Sequence, residues 1–306
     1  MDTLKQLFSA VWVRPPCPLG NSAMGSSLFF AQNQSDGGMT GQHSWRMVLS
    51  MTSHTDADLL ALAARLAEEA ADIIRTIRVR GFETLTKTDA SPVTEADHAA
   101  EAHILKGLRA AVPEIPVIAE EEVASGLRGA VSPAYWLVDP LDGTREFAAG
   151  RDDFTVNIGL VRNGRAVLGA MALPAYYQLY TGGIGLPAER KDRDGIHRIK
   201  TRTPPAEGLS VLASRHYADD PRLTAYLGER RIASVGNIGS AVKFARVAEG
   251  AVDFYPRLGP TMEWDTAAPQ AIVEAAGGHI TLLDGSPLLY GKTDWKNPPF
   301  VCTGTL

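Results

Sequence analysis

Trp136-Leu137-Val138-Asp139-Pro140-Leu141-Asp142-Gly143-Thr144 runs from apolar residues into two carboxylates, a proline, a glycine and a hydroxyl. The apolar part, Tyr135 to Val138, predicts a buried strand. Pro140 cannot donate to a β-ladder, so the strand is expected to stop by that residue. Gly143 permits a tight turn. Asp139 and Asp142 would then stand at the carboxyl end of a strand, near enough to share a cation. Hard divalent ions such as Mg²⁺ take oxygen ligands of this kind. A plain turn rich in Asp and Gly fits the same residues, because both types dominate turns.

On the N-terminal side, Leu59, Leu62, Leu66, Ala70, Ile73 and Ile77 recur at helical spacing and predict a long amphipathic helix over 56–78. A polar loop over 87–93 follows. Thr94 and Asp97 then stand at capping-box spacing ahead of a second helix, with Pro113 beyond its end. Taken alone, Asp97 is a helix-capping carboxylate. Pro116-Val117-Ile118 reads as a short strand running into Glu120-Glu121-Glu122, and adjacent acids are commonly a solvated turn. On the C-terminal side, Phe154–Val161 and Arg165–Leu173 flank Asn163-Gly164, a strong hairpin signal. Tyr176–Tyr180 reads as a further strand and the charged run over 189–194 as a solvated loop between two lobes. Beyond it, short strands over 210–212, 251–255 and 279–283 alternate with helices over 219–227, 240–249 and 266–276, which predicts an α/β layer.

Four segments resemble, in order, the signatures of the Mg²⁺-dependent inositol monophosphatase superfamily. They are Ser91-Pro92-Val93-Thr94-Glu95-Ala96-Asp97, Glu120-Glu121, Asp139-Pro140-Leu141-Asp142-Gly143-Thr144 and Glu263-Trp264-Asp265-Thr266-Ala267-Ala268. The extension Arg145-Glu146-Phe147 resembles its 3′(2′),5′-bisphosphate nucleotidase (CysQ-type) branch, where a lysine is common in place of Arg145. The resemblance runs from about Asp56 to the end of the chain. It implies an α+β or α/β layered sandwich of αβαβα type, with a metal-binding lobe over 53–188 and a C-terminal lobe over 189–306.

The resemblance also implies the ligands. One Mg²⁺ takes Glu120, Asp139 and the carbonyl of Leu141, a second takes Asp139, Asp142 and Asp265, and a third, weaker site lies near Glu120. Glu121 is a nearby catalytic carboxylate. Thr144, held by Asp97, orients or deprotonates the attacking water, and the Gly143 and Thr144 amides face a phosphate oxygen. Two metal ions can neutralise the phosphoryl group, activate water and stabilise the leaving oxygen, so no covalent intermediate is needed. Haloacid dehalogenase phosphatases place one residue between their two aspartates; here Pro140 and Leu141 intervene. Such a hydrolase works without a histidine, so His98, His103 and His216 are given no role. Pro269 departs from the family's usual glycine. A proline is tolerated in the first turn of a helix, so the helix is expected to begin at Thr266 or later, keeping Asp265 at its mouth.

Substrate contacts are expected from Glu120, Leu141, Asp142, Gly143, Thr144 and Asp265 at the metal end. Gly239-Ser240-Ala241-Val242-Lys243 resembles the branch's Gly-Ser-x-x-Lys, and Arg257 in Phe254-Tyr255-Pro256-Arg257 also matches. Ser240 is expected at a helix N-terminus, where a phosphate is favoured, with Lys243 and Arg257 on the phosphate that is not cleaved. As bare residues, Lys243 is equally a solvated helix position and Arg257 a surface charge. The implied activity is hydrolysis of adenosine 3′,5′-bisphosphate to AMP and phosphate, a by-product step of sulfate assimilation, with 3′-phosphoadenylyl sulfate as a second substrate. Inositol monophosphate hydrolysis is the alternative, and a non-catalytic nucleotide-binding module is a rival of another class. Lithium sensitivity belongs to the same resemblance.

Composition sets the remaining bounds. A net charge of −5 over 306 residues gives no sign of a nucleic-acid surface. A phosphate substrate must then meet local cations, which bound metal ions would supply. Cys17 and Cys302 are the only cysteines, so neither a disulfide framework nor a zinc pattern exists. No apolar run approaches a membrane span. A cytoplasmic enzyme is expected, with peripheral attachment to the cytoplasmic face of the inner membrane left open, as is a homodimer. Residues 1–52 are sparsely charged and broken by Pro15, Pro16, Gly37 and Gly38. They read as a disordered extension. The run over 7–13 is too short for a good signal peptide, and a transit peptide stays open.

Overall fold

The computed structural model describes residues 54–87, 92–127, 129, 132–217 and 220–305. The extension over 1–52 and most of the polar loop over 87–93 lie outside them. Helix α1 (Asp56–Arg80) starts at Thr55, whose hydroxyl accepts from the Asp58 amide in a capping box. Its buried face runs through Leu59, Ala63, Leu66, Ala70, Ile74 and Ile77. The face is thus turned from the expected one, and Leu62 and Ile73 are only partly buried. The hairpin β1 (Thr84–Thr86)/β2 (Pro92–Thr94) leads into α2 (Glu95–Ala111), capped by Thr94 and Asp97 as the spacing predicts.

The next elements build one seven-stranded sheet. They are β3 (Val117–Ala119), α3 (Glu120–Ala124), β4 (Ala134–Asp142), α4 (Thr144–Ala148), β5 (Thr155–Arg162), β6 (Arg165–Leu173), β7 (Gln178–Gly183), β8 (Leu186–Asp192) and β9 (Gly195–Arg198). The strands lie in sequence order; β3 and β4 are parallel and the rest antiparallel. Asn163 and Gly164 both take positive φ, as a two-residue hairpin turn requires. Two expectations change here. Pro174–Tyr176 forms a 3₁₀ turn before β7, and the charged run over 189–194 is part of an edge hairpin closed by the turn Arg193-Asp194, not a loop. The first sheet therefore continues past residue 188 to Arg198.

The second sheet has the order β11-β10-β12-β16-β14. The segment that builds it runs through β10 (Leu209–Ser214), α5 (Pro221–Leu227), β11 (Ile232–Ile238), α6 (Val242–Ala248), β12 (Phe254–Arg257), β13 (Thr261–Met262), α7 (Ala267–Ala275), β14 (His279–Leu282), β15 (Lys296–Asn297) and β16 (Phe300–Thr303); β13 and β15 form a separate two-stranded sheet. Alternating faces set the layers. Trp136, Val138, Ile158, Leu160, Leu168 and Ala170 pack under α1 and α2, while Tyr135, Leu137 and Val161 point the other way, to α7. Helices α6 and α7 are shared with the second sheet through Phe244, Ile272, Tyr255 and Phe300. Leu223 and Leu227 of α5 close its far side on Val211, Phe254 and Val301. The result is helix, sheet, helix, sheet, helix, the αβαβα arrangement expected.

Helix α7 sits directly on backbone. Gly159, Gly169 and Gly182 are register partners across β5, β6 and β7. A Cβ on Gly159 would lie 2.5 Å from the Ala268 nitrogen, one on Gly169 2.4 Å from the Ala268 oxygen, and one on Gly182 2.9 Å from the Ile272 Cα. These contacts are with backbone, which cannot swing aside. Gly169→Ala is expected to destabilise by about 1–3 kcal/mol through overpacking. In a thermal melt that is a fall of about 2–4 °C per kcal/mol; an unchanged midpoint would show that α7 can slide.

Candidate active site

Strand β4 delivers the two aspartates through a break in its ladder. Asp139 pairs with Asn157 and Asp142 with Thr155, so the register shifts between them. The strand thus runs on to Asp142 where a stop by Pro140 was expected. Pro140 lies inside the bulge, where a missing N–H costs no ladder bond. The Leu141 amide donates to Asp139 Oδ1 at 3.0 Å. Gly143 follows with φ +96°, and a Cβ there would meet the Asp153 oxygen at 2.8 Å and the Ser240 Cβ at 2.9 Å. Only glycine fits that corner, which turns the chain into α4 at Thr144.

Asp265 arrives from the other side, in the 3₁₀ turn Glu263–Asp265 just before α7. Pro269 is the third residue of α7, in the first turn, where its missing donor is harmless. One carboxylate oxygen from each of Asp139, Asp142 and Asp265 lies within 4.8 Å of the others. Asp139 is 1% exposed, and burial, then Glu120, Asp142 and Asp265, push its carboxyl well above the usual range. Burial lifts Asp142 to about 6, opposed by Lys243 and the Ala241 amide. Burial and then Asp142 and Glu120 lift Asp265 to about 8. Buried like charges resist ionising together. An all-oxygen, acidic donor set of this kind fits a hard divalent cation.

Glu120 lines the same cleft, of about 350 Å³, as do Leu141, Asp142, Gly143, Thr144 and Asp265. Its Oε1 accepts from Lys87 Nζ at 2.7 Å, and Lys87 also lies 2.6 Å from Glu121 Oε1. Glu121 stands behind the cleft wall, its carboxyl pushed up to about 7 by burial first. The acidic run is not a solvated turn. It opens α3, and the buried Glu101 accepts from the Glu121 and Glu122 amides at 2.8 and 2.9 Å. Glu122 is held by Arg109 at 2.6 Å.

The two readings of Asp97 turn out to be compatible. Its Oδ2 accepts from the Thr94 amide and hydroxyl at 2.8 and 2.7 Å, completing the helix cap. Its Oδ1 lies 2.9 Å from Thr144 Oγ1, which also comes within 3.1 Å of the Leu141 oxygen. Asp97 is 1% exposed and touches the cleft only through Thr144. Burial raises its carboxyl, against the pull of its hydrogen bonds.

The second sheet supplies the other wall. Lys243 is 1% exposed and so is no solvated helix residue. Its ammonium donates to the Ser240 and Ile238 carbonyls at 2.6 and 3.1 Å, which uses two of three donors. Burial, and then Arg257, lowers it to about 7. Arg257 Nη2 donates to the Pro260 oxygen at 2.6 Å, and its buried Nε has no partner. Ser240 has φ +48° and precedes α6, which starts at Val242 and not at Ser240 as expected. The Ala241 amide donates to Asp142 Oδ2, tying the two walls together. Arg145 lies on the cleft rim.

Lys87, Glu146, Ser214 and His216 escape a reading of the sequence. Ser214 ends β10 and His216 lies in the turn just after it, and sheet ligands gather at such carboxyl ends. That position was the available signal. His216 lines the cleft, while His98 and His103 do not.

The chain matches the inositol monophosphatase family over residues 55–299. It is 39% identical to the 3′(2′),5′-bisphosphate nucleotidase CysQ of Salmonella typhimurium, over 80% of this chain and 99% of that protein. The Escherichia coli K12 protein of the same name is 38% identical over 79% of this chain and 98% of its own. Among solved structures, CysQ from Bacteroides thetaiotaomicron superposes with a TM-score of 0.68 at 30% identity, covering 81% of this chain and 97% of that one. Together with the αβαβα layers and the acidic cleft, these matches place the chain in the inositol monophosphatase family, within its CysQ branch.

Proposed function

We propose that this protein is a Mg²⁺-dependent phosphatase that removes the 3′-phosphate of adenosine 3′,5′-bisphosphate, giving AMP and inorganic phosphate, and that acts also on 3′-phosphoadenylyl sulfate. The observation that carries the reading is the meeting of two sets of groups in one cleft. Three clustered carboxylates lie at one wall; the cations Lys243 and Arg257 lie at the other. A bisphosphate has a use for both, and its relatives' names point to the same substrate. Asp139, Asp142 and Asp265, with Glu120 and the Leu141 carbonyl, would hold two or three Mg²⁺ ions, which when bound offset phosphoryl charge and acidify water. Lithium inhibition belongs to this reading.

The chain's own groups orient and deprotonate. Thr144 can give its hydroxyl proton to Asp97, leaving its oxygen lone pairs to accept from a water in the cleft. Asp97 is the eventual proton acceptor, and its raised carboxyl makes it a better base. Lys243, with one donor uncommitted, and the Arg257 guanidinium, which lines the cleft, would meet the uncleaved 5′-phosphate. Water oxygen then bonds to phosphorus and the ester bond breaks; the 3′-oxygen takes a proton from solvent to leave as a hydroxyl, and Asp97 returns its proton to solvent.

Phosphate release from adenosine 3′,5′-bisphosphate, inositol 1-phosphate and fructose 1,6-bisphosphate tests the proposal. Adenosine 3′,5′-bisphosphate is expected to have a kcat/KM at least about tenfold above either sugar phosphate, about the worth of one charged hydrogen bond. Preference for inositol 1-phosphate would overturn it, and binding without turnover in Mg²⁺ would leave only a nucleotide-binding module.

A further inference from the structure

Glu146 is the buried ionisable group in the cleft that the proposed chemistry does not use. It is 2% exposed, in α4 immediately after Thr144 and Arg145, and it lines the cleft. Its Oε1 accepts no hydrogen bond, although His216 Nε2 lies 3.3 Å away and Arg215 Nη1 3.8 Å away. Arg215 Nη1 is likewise buried and unpartnered, because the other guanidinium nitrogen, Nη2, is drawn 2.6 Å from Asp153 Oδ2. The Glu146 carboxylate also presses on Gly239, where a Cβ would lie 2.5 Å from its carboxyl carbon. One side chain of the first sheet's motif helix thus touches the ends of both β10 and β11 in the second sheet. Buried acceptors are rarely left open without a reason. A carboxylate near an imidazole nitrogen fixes which ring edge the imidazole turns outward.

We propose that Glu146 is a positioning residue for substrate selection: through His216 it fixes the cleft wall that meets the nucleoside part of a 3′-phosphorylated nucleotide. The inference rests on the nucleotidase reading above. It assigns His216 to substrate contact and Glu146 to holding it, with no part for Glu146 in bond breaking. A substrate with no nucleoside, such as inositol 1-phosphate, gains nothing from this wall. Glutamine keeps an acceptor oxygen at the same reach, so acceptor geometry and charge can be told apart.

The test is steady-state kinetics of Glu146→Ala, Glu146→Gln, His216→Ala and the double variant Glu146→Ala/His216→Ala on both substrates. Glu146→Ala is expected to raise KM for adenosine 3′,5′-bisphosphate about tenfold, with kcat within about threefold, as the loss of one His216–nucleotide contact in binding predicts. The ratio of kcat/KM on the nucleotide to that on inositol 1-phosphate should fall by the same factor. Glu146→Gln should recover most of it. The double variant should be no worse than the weaker single one, because the two side chains act as a unit. Additive effects of Glu146→Ala and His216→Ala would overturn the proposal, as would a loss in kcat that is equal on both substrates. If Glu146→Ala does not fold, a KM unchanged in His216→Ala overturns it alone. If the unaltered enzyme fails to turn over adenosine 3′,5′-bisphosphate, it is the nucleotidase reading that falls.

Discussion

Asp139→Asn is expected to abolish turnover and, in the metal-free protein, to raise stability. Asp139 is the most buried of the three clustered carboxylates, and its charge faces those of Glu120, Asp142 and Asp265. As the proposed bridge between two ions it has no substitute, so kcat/KM should fall by about 10³-fold or more, on the order of 4 kcal/mol. Without metal the same carboxylate is a liability, since it must either stay protonated or repel its neighbours. Removing its charge should raise the melting temperature in chelator by about 2–4 °C, the effect of roughly 1 kcal/mol in a domain of this size.

The pH dependence follows with the same sign. Burial pushes Asp142 up to about 6 and Asp265 up to about 8 in the folded protein, against ordinary aspartate values once unfolded. The native state therefore keeps protons that the unfolded state has released, and metal-free stability falls as pH rises from about 4 towards 8. Asp139→Asn should make that decline shallower. Calorimetric melts in chelator across this range check both points. Near-normal turnover at saturating Mg²⁺, or a steeper pH decline, would contradict the bridging assignment.

Thr144→Val is the second large effect. Valine keeps the shape of threonine and removes only the hydroxyl between the cleft and Asp97. Proton transfer by a positioned group contributes about 10²–10⁴-fold, so kcat should fall within that range while KM changes little. Thr144→Ser should restore most of the rate. Asp97→Asn is a blunter probe, because Asp97 also caps α2 through Thr94 and its loss weakens the helix start. A kcat within threefold of normal in Thr144→Val would move water activation elsewhere in the cleft.

The fold and the acidic wall were legible because their signals are local. The capping pair Thr94 and Asp97, the Asn163-Gly164 turn and the β4 motif each specify their own geometry within a few residues. The resemblance then brought Asp265 to Asp139 and Asp142 across more than a hundred positions, which no local pattern could do. Strand β11 was missed because it is mostly exposed, with the pattern Ile232–Ile238 showing no buried face. Glu146 and His216 were missed for a different reason. Their approach exists only after the two sheets close on each other, and neither the motif around Glu146 nor the segment around His216 announces it. Lys243 and Arg257 were found by motif, but their commitments to backbone carbonyls could not be read from the chain. Glu121 was assigned through the resemblance; it is buried beside the cleft-lining Glu120 and shares Lys87 with it.

The glycine row under α7 has a consequence for how this centre ages in evolution. Asp265 hangs from the start of a helix that rests on three backbones with nothing compressible between. Asp139 and Asp142 belong to the strand next to that seat. The gap between the two halves of the acidic triad is therefore gauged by a hard stop, as a machinist sets a clearance with a shim of fixed thickness. Drift at Gly159 or Gly169 would alter no ligand, yet it would push α7 off its seat and open the clearance. The clearance at this centre is set where no side chain exists.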